Sequence, residues 1–284
     1  MLPFRKILFP VDYSDPCRAV VPHVQQMVRH FSATLTLLHA YPSVLLGYGD
    51  LAVDPLLPEQ IQTYERDRLH KFAMEMFHGQ RPELVTQAGE AGSVLNGYVQ
   101  HQGTDLVMMG THGYGPVRRL LLGSVTAKVL HDVSAAVWTS AGSVVGNDFR
   151  TSYKSILCAL DESDEAEAVL TAAAAFAKSW NARLSIVHVL DMPRTSVNFD
   201  FSPGEKEIRD DADFRLRELK GRLGIDAPHA VIDASIEEGV QQEAIRRNAD
   251  LIVTGRGLEQ STFSRLWSRL YPIIRESPCP VLSI

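Results

Sequence analysis

Residues 5–15 read RKILFPVDYSD, and residues 154–164 read KSILCALDESD. Each stretch has a basic start, a short apolar run and an aspartate where that run stops. Asp12 and Asp161 stand 149 residues apart. The next apolar run recurs at the same spacing, ATLTLLHAY at 33–41 against ARLSIVHVL at 182–190, with His39 and His188 in register. Further on, TDLVMMG at 104–110 matches ADLIVTG at 249–255, and VSAAVWTS at 133–140 matches SPCPVLSI at 277–284. These last spacings are 145 and 144 residues, a drift that small differences in loop length account for. Four matched segments in one order make the chain two copies of a single unit.

Within the first copy the apolar runs Lys6–Val11, Thr34–Ala40, Leu84–Ala88, Leu106–Gly110 and Ala135–Thr139 are rich in Val, Ile and Leu. They read as strands buried on both faces, the habit of parallel sheets. Between them the apolar residues fall at helical spacing: Val20, Val24, Met27 and Val28; then Val94, Tyr98 and Val99; then Val125, Val129 and Leu130. A more polar helix is expected from about residue 58 to 78, after a loop over Tyr41–Leu57 that contains Pro42, Gly47, Gly49 and Pro55. Strands alternating with helices need crossover connections. The expected fold is therefore α/β: two tandem doubly wound, Rossmann-like domains, each with a five-stranded parallel sheet. The domains are placed at 1–143 and 152–284, joined through the Gly-, Asn- and Asp-containing segment Ser140–Thr151.

Bulk composition narrows the class of function. The chain has 284 residues, 45% hydrophobic and 22% charged, the mixture of a protein with well-buried cores. A net charge of −6 argues against a nucleic-acid binder that works by broad phosphate neutralisation. Cys17, Cys158 and Cys279 are odd in number and far apart, which fits neither a disulfide framework nor a zinc site and points to a reducing compartment. The start, MLPFRKILFPVDYSD, meets Pro and Asp too early for a signal peptide, and no apolar run approaches the ~18 residues of a membrane span. The expectation is a soluble, cytoplasmic protein without nucleic-acid or membrane partners.

In doubly wound sheets ligands sit beyond the carboxyl ends of the strands, where the winding reverses. The first strand ends in Asp12, whose carboxylate can accept from ribose hydroxyls or a base amino group. The fourth runs into MGTHGYGPVRRLLLGSVT, residues 109–126. Gly110 and Gly113 permit a tight turn and close approach to backbone. Gly123 and Ser124 open a helix whose unpaired N–H groups and positive dipole end form an anion site. Arg118 and Arg119, just before it, can offset phosphate charge. A nucleotide fits this set, its base at the strand ends and its phosphates at the helix start.

The spacing Gly110, two residues, Gly113, nine residues, Gly123, Ser124 resembles the ATP-binding branch of the universal stress protein family, as does Asp12 within ILFPVDYSD. The resemblance covers the chain as two copies. It implies an adenine nucleotide, ATP with or without Mg²⁺, held by Pro10, Val11, Asp12, Met109, Gly110, His112, Gly113, Gly123, Ser124, Val125 and Thr126. Ala40 stands at the end of the second strand, where that branch often has Val, and its smaller side chain leaves more room beside the base. The resemblance also supplies the expectation of a role in stress response.

The second copy departs from this pattern. Leu258 falls at the second glycine, Trp267 at the third and Ser268 at the serine, and Pro272 enters the final helix. Asp161 and Val189 remain, so part of a pocket is expected there, not an ATP site. His39 and His188 read as satisfied core histidines, Cys17 as a small core residue, and Asp12 or Ser14 as a helix cap.

No GxxxxGK[ST], GxSxG, HExxH or kinase-like catalytic loop occurs. The leading reading is a nucleotide-binding regulator acting through a signalling protein partner still to be identified. Two alternatives stay open. One is slow ATP hydrolysis or phosphotransfer, with Mg²⁺ on the phosphates and His112 or Asp12 placing a water or the metal. The other is a ligand-free interaction scaffold. The apolar final strands around Val137 and Val281 need cover, which predicts an intramolecular pseudo-dimer, with homodimerisation of the whole chain left open.

Overall fold

The computed structural model describes residues 2–43, 57–111, 122–140, 152–191, 203–256 and 270–284. The chain forms two compact units, 3–151 and 152–284. In the first, the order is β1 (Lys6–Pro10), α1 (Asp15–Phe31), β2 (Thr34–Tyr41), α2 (Leu57–Met76), β3 (Glu83–Ala88), α3 (Ala91–Gln102), β4 (Leu106–Gly110), α4 (Ser124–Asp132) and β5 (Ala136–Ser140). The second runs β6 (Ser155–Leu160), α5 (Ala166–Ser179), β7 (Arg183–Leu190), α6 (Pro203–Leu223), β8 (His229–Asp233), α7 (Ile236–Arg246), β9 (Leu251–Thr254), α8 (Tyr271–Glu276) and β10 (Val281–Ser283). Among the described residues no helix is long and apolar enough to cross a membrane.

Strand order is β3-β2-β1-β4-β5 in the first unit and β8-β7-β6-β9-β10 in the second, with every pairing within a unit parallel. Each unit is thus a doubly wound five-stranded α/β domain. Their registers obey the spacings of the sequence repeat. Lys6 pairs with Thr34 as Ser155 pairs with Arg183, and Ile7 pairs with Leu106 as Ile156 pairs with Leu251. An aspartate fixes the start of the central pair in both. Asp105 Oδ2 accepts from the N–H groups of Arg5 and Lys6, each at 2.8 Å, and Asp250 accepts from Lys154 and Ser155.

The central strands are buried on both faces, as their unbroken apolar runs require. Leu8, Phe9, Val107 and Met108 are fully buried, as are Leu157, Cys158, Ile252 and Val253. β3 differs from its sequence reading: it stands last in its unit's strand order and its six residues are half-buried or exposed. Its apolar run resembles that of a central strand, yet β3 has a neighbouring strand of its unit, β2, on one side only.

α1 starts cleanly because Ser14, in extended conformation, accepts from the Cys17 N–H at 3.2 Å, with Asp15 and Pro16 filling the first turn. It stops at Ser32, in the left-handed region at φ 51°. Burial of Cys17, Val20, Val21, Val24 and Met27 gives α1 its inward stripe; Val28 lies at the margin, only half-buried.

Candidate functional site

Winding reverses between β1 and β4, so a crevice opens at their carboxyl ends. A cavity of about 220 Å³ lies there. Pro10, Val11 and Asp12 line it from the end of β1, Ala40 from β2, Met109 and Gly110 from β4, and Gly123, Ser124, Val125 and Thr126 from the start of α4. Ten of the twelve residues expected from the sequence therefore share one cleft. His112 and Gly113 lie outside the described residues, as do Arg118 and Arg119. Four further lining residues were not expected as part of the site: Cys17, Leu38, Ala91 and Leu95. Ala91 and Leu95 are four apart on α3 and so share a face.

The start of α4 is prepared for an anion. Gly123 is its N-cap, at φ −63° and ψ 144°, and no side chain among the described residues caps the turn. Ser124 is exposed. Gly123 N–H donates to the Thr111 carbonyl at 2.9 Å, and Thr126 Oγ1 donates to the Gly110 carbonyl at 3.1 Å, so helix start and strand end are locked together. The other helices of this unit with a described N-cap are closed: α1 by Ser14, α3 by Glu90. The first-turn N–H groups of α4 and their positive dipole end thus face the cleft, with no side-chain acceptor among the described residues.

At the other end, Asp12 is exposed at the cleft edge, and its Oδ1 accepts from Ser14 N at 2.9 Å and Ser14 Oγ at 2.6 Å. Ser14 is the cap of α1, and Asp12 braces it. The same turn is built at Asp161 and Ser163 in the second unit. Between them, Tyr13 takes a positive φ of 64°, uncommon for an aromatic residue. Its ring is held 3.9 Å below the Arg68 guanidinium and edge-on to Phe72, and burial raises the phenol well above its ordinary pKa.

His39 is a satisfied core residue. Its Nδ1 donates to the Val11 carbonyl at 2.7 Å, and Nε2 lies 3.3 Å from Glu65 on α2. His188 repeats the arrangement with the Leu160 carbonyl at 3.0 Å and Glu162 at 3.9 Å. The carboxylate comes from α2 in one unit and from the loop after β6 in the other. Each also approaches an arginine, Arg68 at 3.5 Å and Arg215 at 3.9 Å. Cys17 is buried as expected of a core residue, and burial pushes its thiol up to about 12, so it stays protonated at neutral pH.

The cleft of the second unit occupies the equivalent place with different chemistry. Asp161, Glu162, Asp164, Glu165 and Asp191 line it together with Val189 and His188. Arg256 also lines it, at the position that Thr111 holds in the first copy, and is only 5% exposed. Burial lowers this guanidinium to about 10, with the charge of Glu165 acting in the opposite sense, so it remains a cation at neutral pH. Among the described lining residues, five carry carboxylates and Arg256 carries the guanidinium, with Glu165 the carboxylate whose charge acts on it. Leu258, Trp267 and Ser268 lie outside the described residues. Among the described residues no group of three or more His, Cys, Asp or Glu side chains could hold a metal ion.

Comparison with known proteins agrees with this architecture. The model of the universal stress protein family matches twice, at residues 3–139 and 152–284. A universal stress protein from Thermus aquaticus is 33% identical over 134 residues, covering 47% of this chain and 96% of that one. The Synechocystis universal stress protein Slr1230 is 30% identical over 134 residues; that match spans 47% of this chain and 42% of the relative's length. The crystal structure of a universal stress protein from Archaeoglobus fulgidus superposes with a TM-score of 0.71 over 98% of this chain and 94% of its own, at 22% identity, a likeness of fold. With both halves matched by the same family model, this chain belongs to the universal stress protein family as a tandem, two-domain member.

Proposed function

We propose that the first unit binds an adenine nucleotide, ATP above all, and that its occupancy serves as a regulatory signal read by a protein partner in a stress response. The observation that carries this reading is the pairing of an uncapped α4 start with Asp12 across one cleft. Apolar walls from Val11, Leu38, Ala40, Leu95 and Met109 suit a base, and Asp12 is an acceptor for ribose hydroxyls. The cavity is smaller than the roughly 300–1,000 Å³ that encloses a drug-sized ligand. It therefore takes the base and sugar, and the phosphates lie at Gly123, Ser124, Val125 and Thr126, at the helix start. Mg²⁺, where present, rides on the phosphates. The second cleft, with five carboxylates, repels such a ligand, and we read that unit as free of ATP.

Equilibrium dialysis with ATP, on the whole chain and on Gly123→Val, tests the site. Gly123 has an ordinary extended conformation, so valine adds bulk at the helix start without backbone strain. Loss of affinity by roughly tenfold or more is expected, equivalent to about 1.4 kcal/mol. Equal binding by both proteins refutes the site.

A further inference from the structure

Lys128 lies on α4 four residues beyond Ser124, so the two share a helix face with Cβ atoms about 5–6 Å apart. Helical side chains lean toward the amino end of their helix, which carries this ammonium toward the uncapped start. Its Nζ donates to Glu90 Oε2 at 2.8 Å and to Ser93 Oγ at 2.9 Å. Glu90 is the N-cap of α3, accepting from Gly92 N at 2.9 Å and Ser93 N at 2.8 Å. Ala91, beside it in sequence, lines the cleft together with Ser124. The pair is a clasp between the first turn of α3, which bears the lining residue Ala91, and α4, which bears the lining residue Ser124.

Gly92 is what lets the clasp form. A Cβ there would come 2.5 Å from Lys128 Cδ and 3.0 Å from its Cγ, so the lysine stem lies across bare backbone. Two properties make the lysine easy to release. Both partners are well exposed, 40% for Lys128 and 57% for Glu90, and such surface pairs are weakly held. Moreover, Glu90 keeps two backbone N–H groups and the Ser93 hydroxyl after Lys128 leaves, so no acceptor is stranded. A phosphate chain at the α4 start carries several negative charges against the single one of Glu90.

We infer that Lys128 is a phosphate contact held on Glu90 in the free protein, and that the phosphates of a bound nucleotide draw it away and open the α3–α4 clasp. This assignment rests on the nucleotide reading above. It gives occupancy a local structural consequence, because a link between two helices is exchanged for a link to the ligand.

Calorimetric titration of the whole chain with ATP and with adenosine, for wild type, Lys128→Met, Lys128→Arg and Glu90→Gln, tests it. Lys128→Met is expected to lose about tenfold in ATP affinity, the scale of one charge-assisted hydrogen bond, with adenosine binding unchanged. Lys128→Arg keeps most of the ATP affinity. Glu90→Gln, which frees the lysine while leaving an amide oxygen to cap α3, gains roughly threefold for ATP alone. Unchanged ATP affinity in Lys128→Met overturns the inference and leaves the nucleotide reading standing. Equal losses for ATP and adenosine overturn the assignment to the phosphates. A wild-type chain that binds neither ligand sinks both readings.

Discussion

His23 sits on α1 with its ring centroid 5.0 Å from that of Trp138, a residue of β5 with no exposed surface. Burial lowers its pKa from 6.5 to about 4, because withdrawing the ring from water disfavours the charged imidazolium. The unfolded chain takes up this proton near pH 6.5, the folded chain only near 4. The stabilisation is complete above 6.5, shrinks as pH falls through the interval, and is flat below about 4. At 1.36 kcal/mol per pH unit the interval corresponds to about 3 kcal/mol, a large share of a domain's ordinary stability. The perturbation is His23→Phe, which keeps a ring against Trp138 and removes the titrating nitrogens. Urea denaturation of both proteins at several pH values between 7 and 4 measures the difference in slope, a quantity that a uniform loss of stability in the variant does not alter. Wild type is expected to lose about 3 kcal/mol more than His23→Phe across that range. An NMR titration of the His23 ring should show a midpoint near 4. Parallel loss of stability in the two proteins, or a midpoint at 6.5, refutes the reasoning.

Two further outcomes follow from close contacts. Gly239→Ala would bring a Cβ within 2.8 and 2.9 Å of the two methyls of Val189, a β-branched side chain with little freedom to turn. The second unit should lose about 1–3 kcal/mol, seen as a lowered melting temperature, and an unchanged melt contradicts the tight packing of α7 on β7. Glu90, hydrogen-bonded by Lys128, Ser93 and Gly92, has its carboxyl held down to about 2. Its contribution to stability is present above the ordinary 4.5 and is lost as pH falls toward 2, and Lys128→Met should move the midpoint of its NMR titration upward. A midpoint already at 4.5 in wild type means that the clasp does not form.

The residues around Asp105 and Asp250 illustrate how a readable pattern can hide its use. TDLVMMG and ADLIVTG are legible as strands and as copies, but the aspartate's grip on the first strand depends on pairing across about a hundred residues of chain. Tyr13 and Glu162 stand at equivalent places in the repeat, yet one is an aromatic under Arg68 and the other a carboxylate toward His188. The second copy thus rebuilds a histidine's surroundings from different elements, a substitution that matched positions in the repeat do not encode.

Strand and helix alternation, the two-fold repeat, the doubly wound sheet and Asp12, Gly110, Gly123 and Ser124 of the first cleft were determined by local pattern, while the other six expected lining residues came with the family resemblance. Apolar period, glycine spacing and a strand-terminal aspartate are properties of a few adjacent residues and of the fixed rule for where such sheets open. Only the tertiary structure decided that β3 is half-exposed, that Ala91 and Leu95 wall the cleft, that Arg256 lies buried in the wall of the second cleft, and that Gly92 gives Lys128 its path to Glu90. Each of those depends on which element becomes a neighbour in space. Burial, charge balance and the room left by a missing Cβ are set by that neighbour, and periodicity along the chain names a face without naming what it meets.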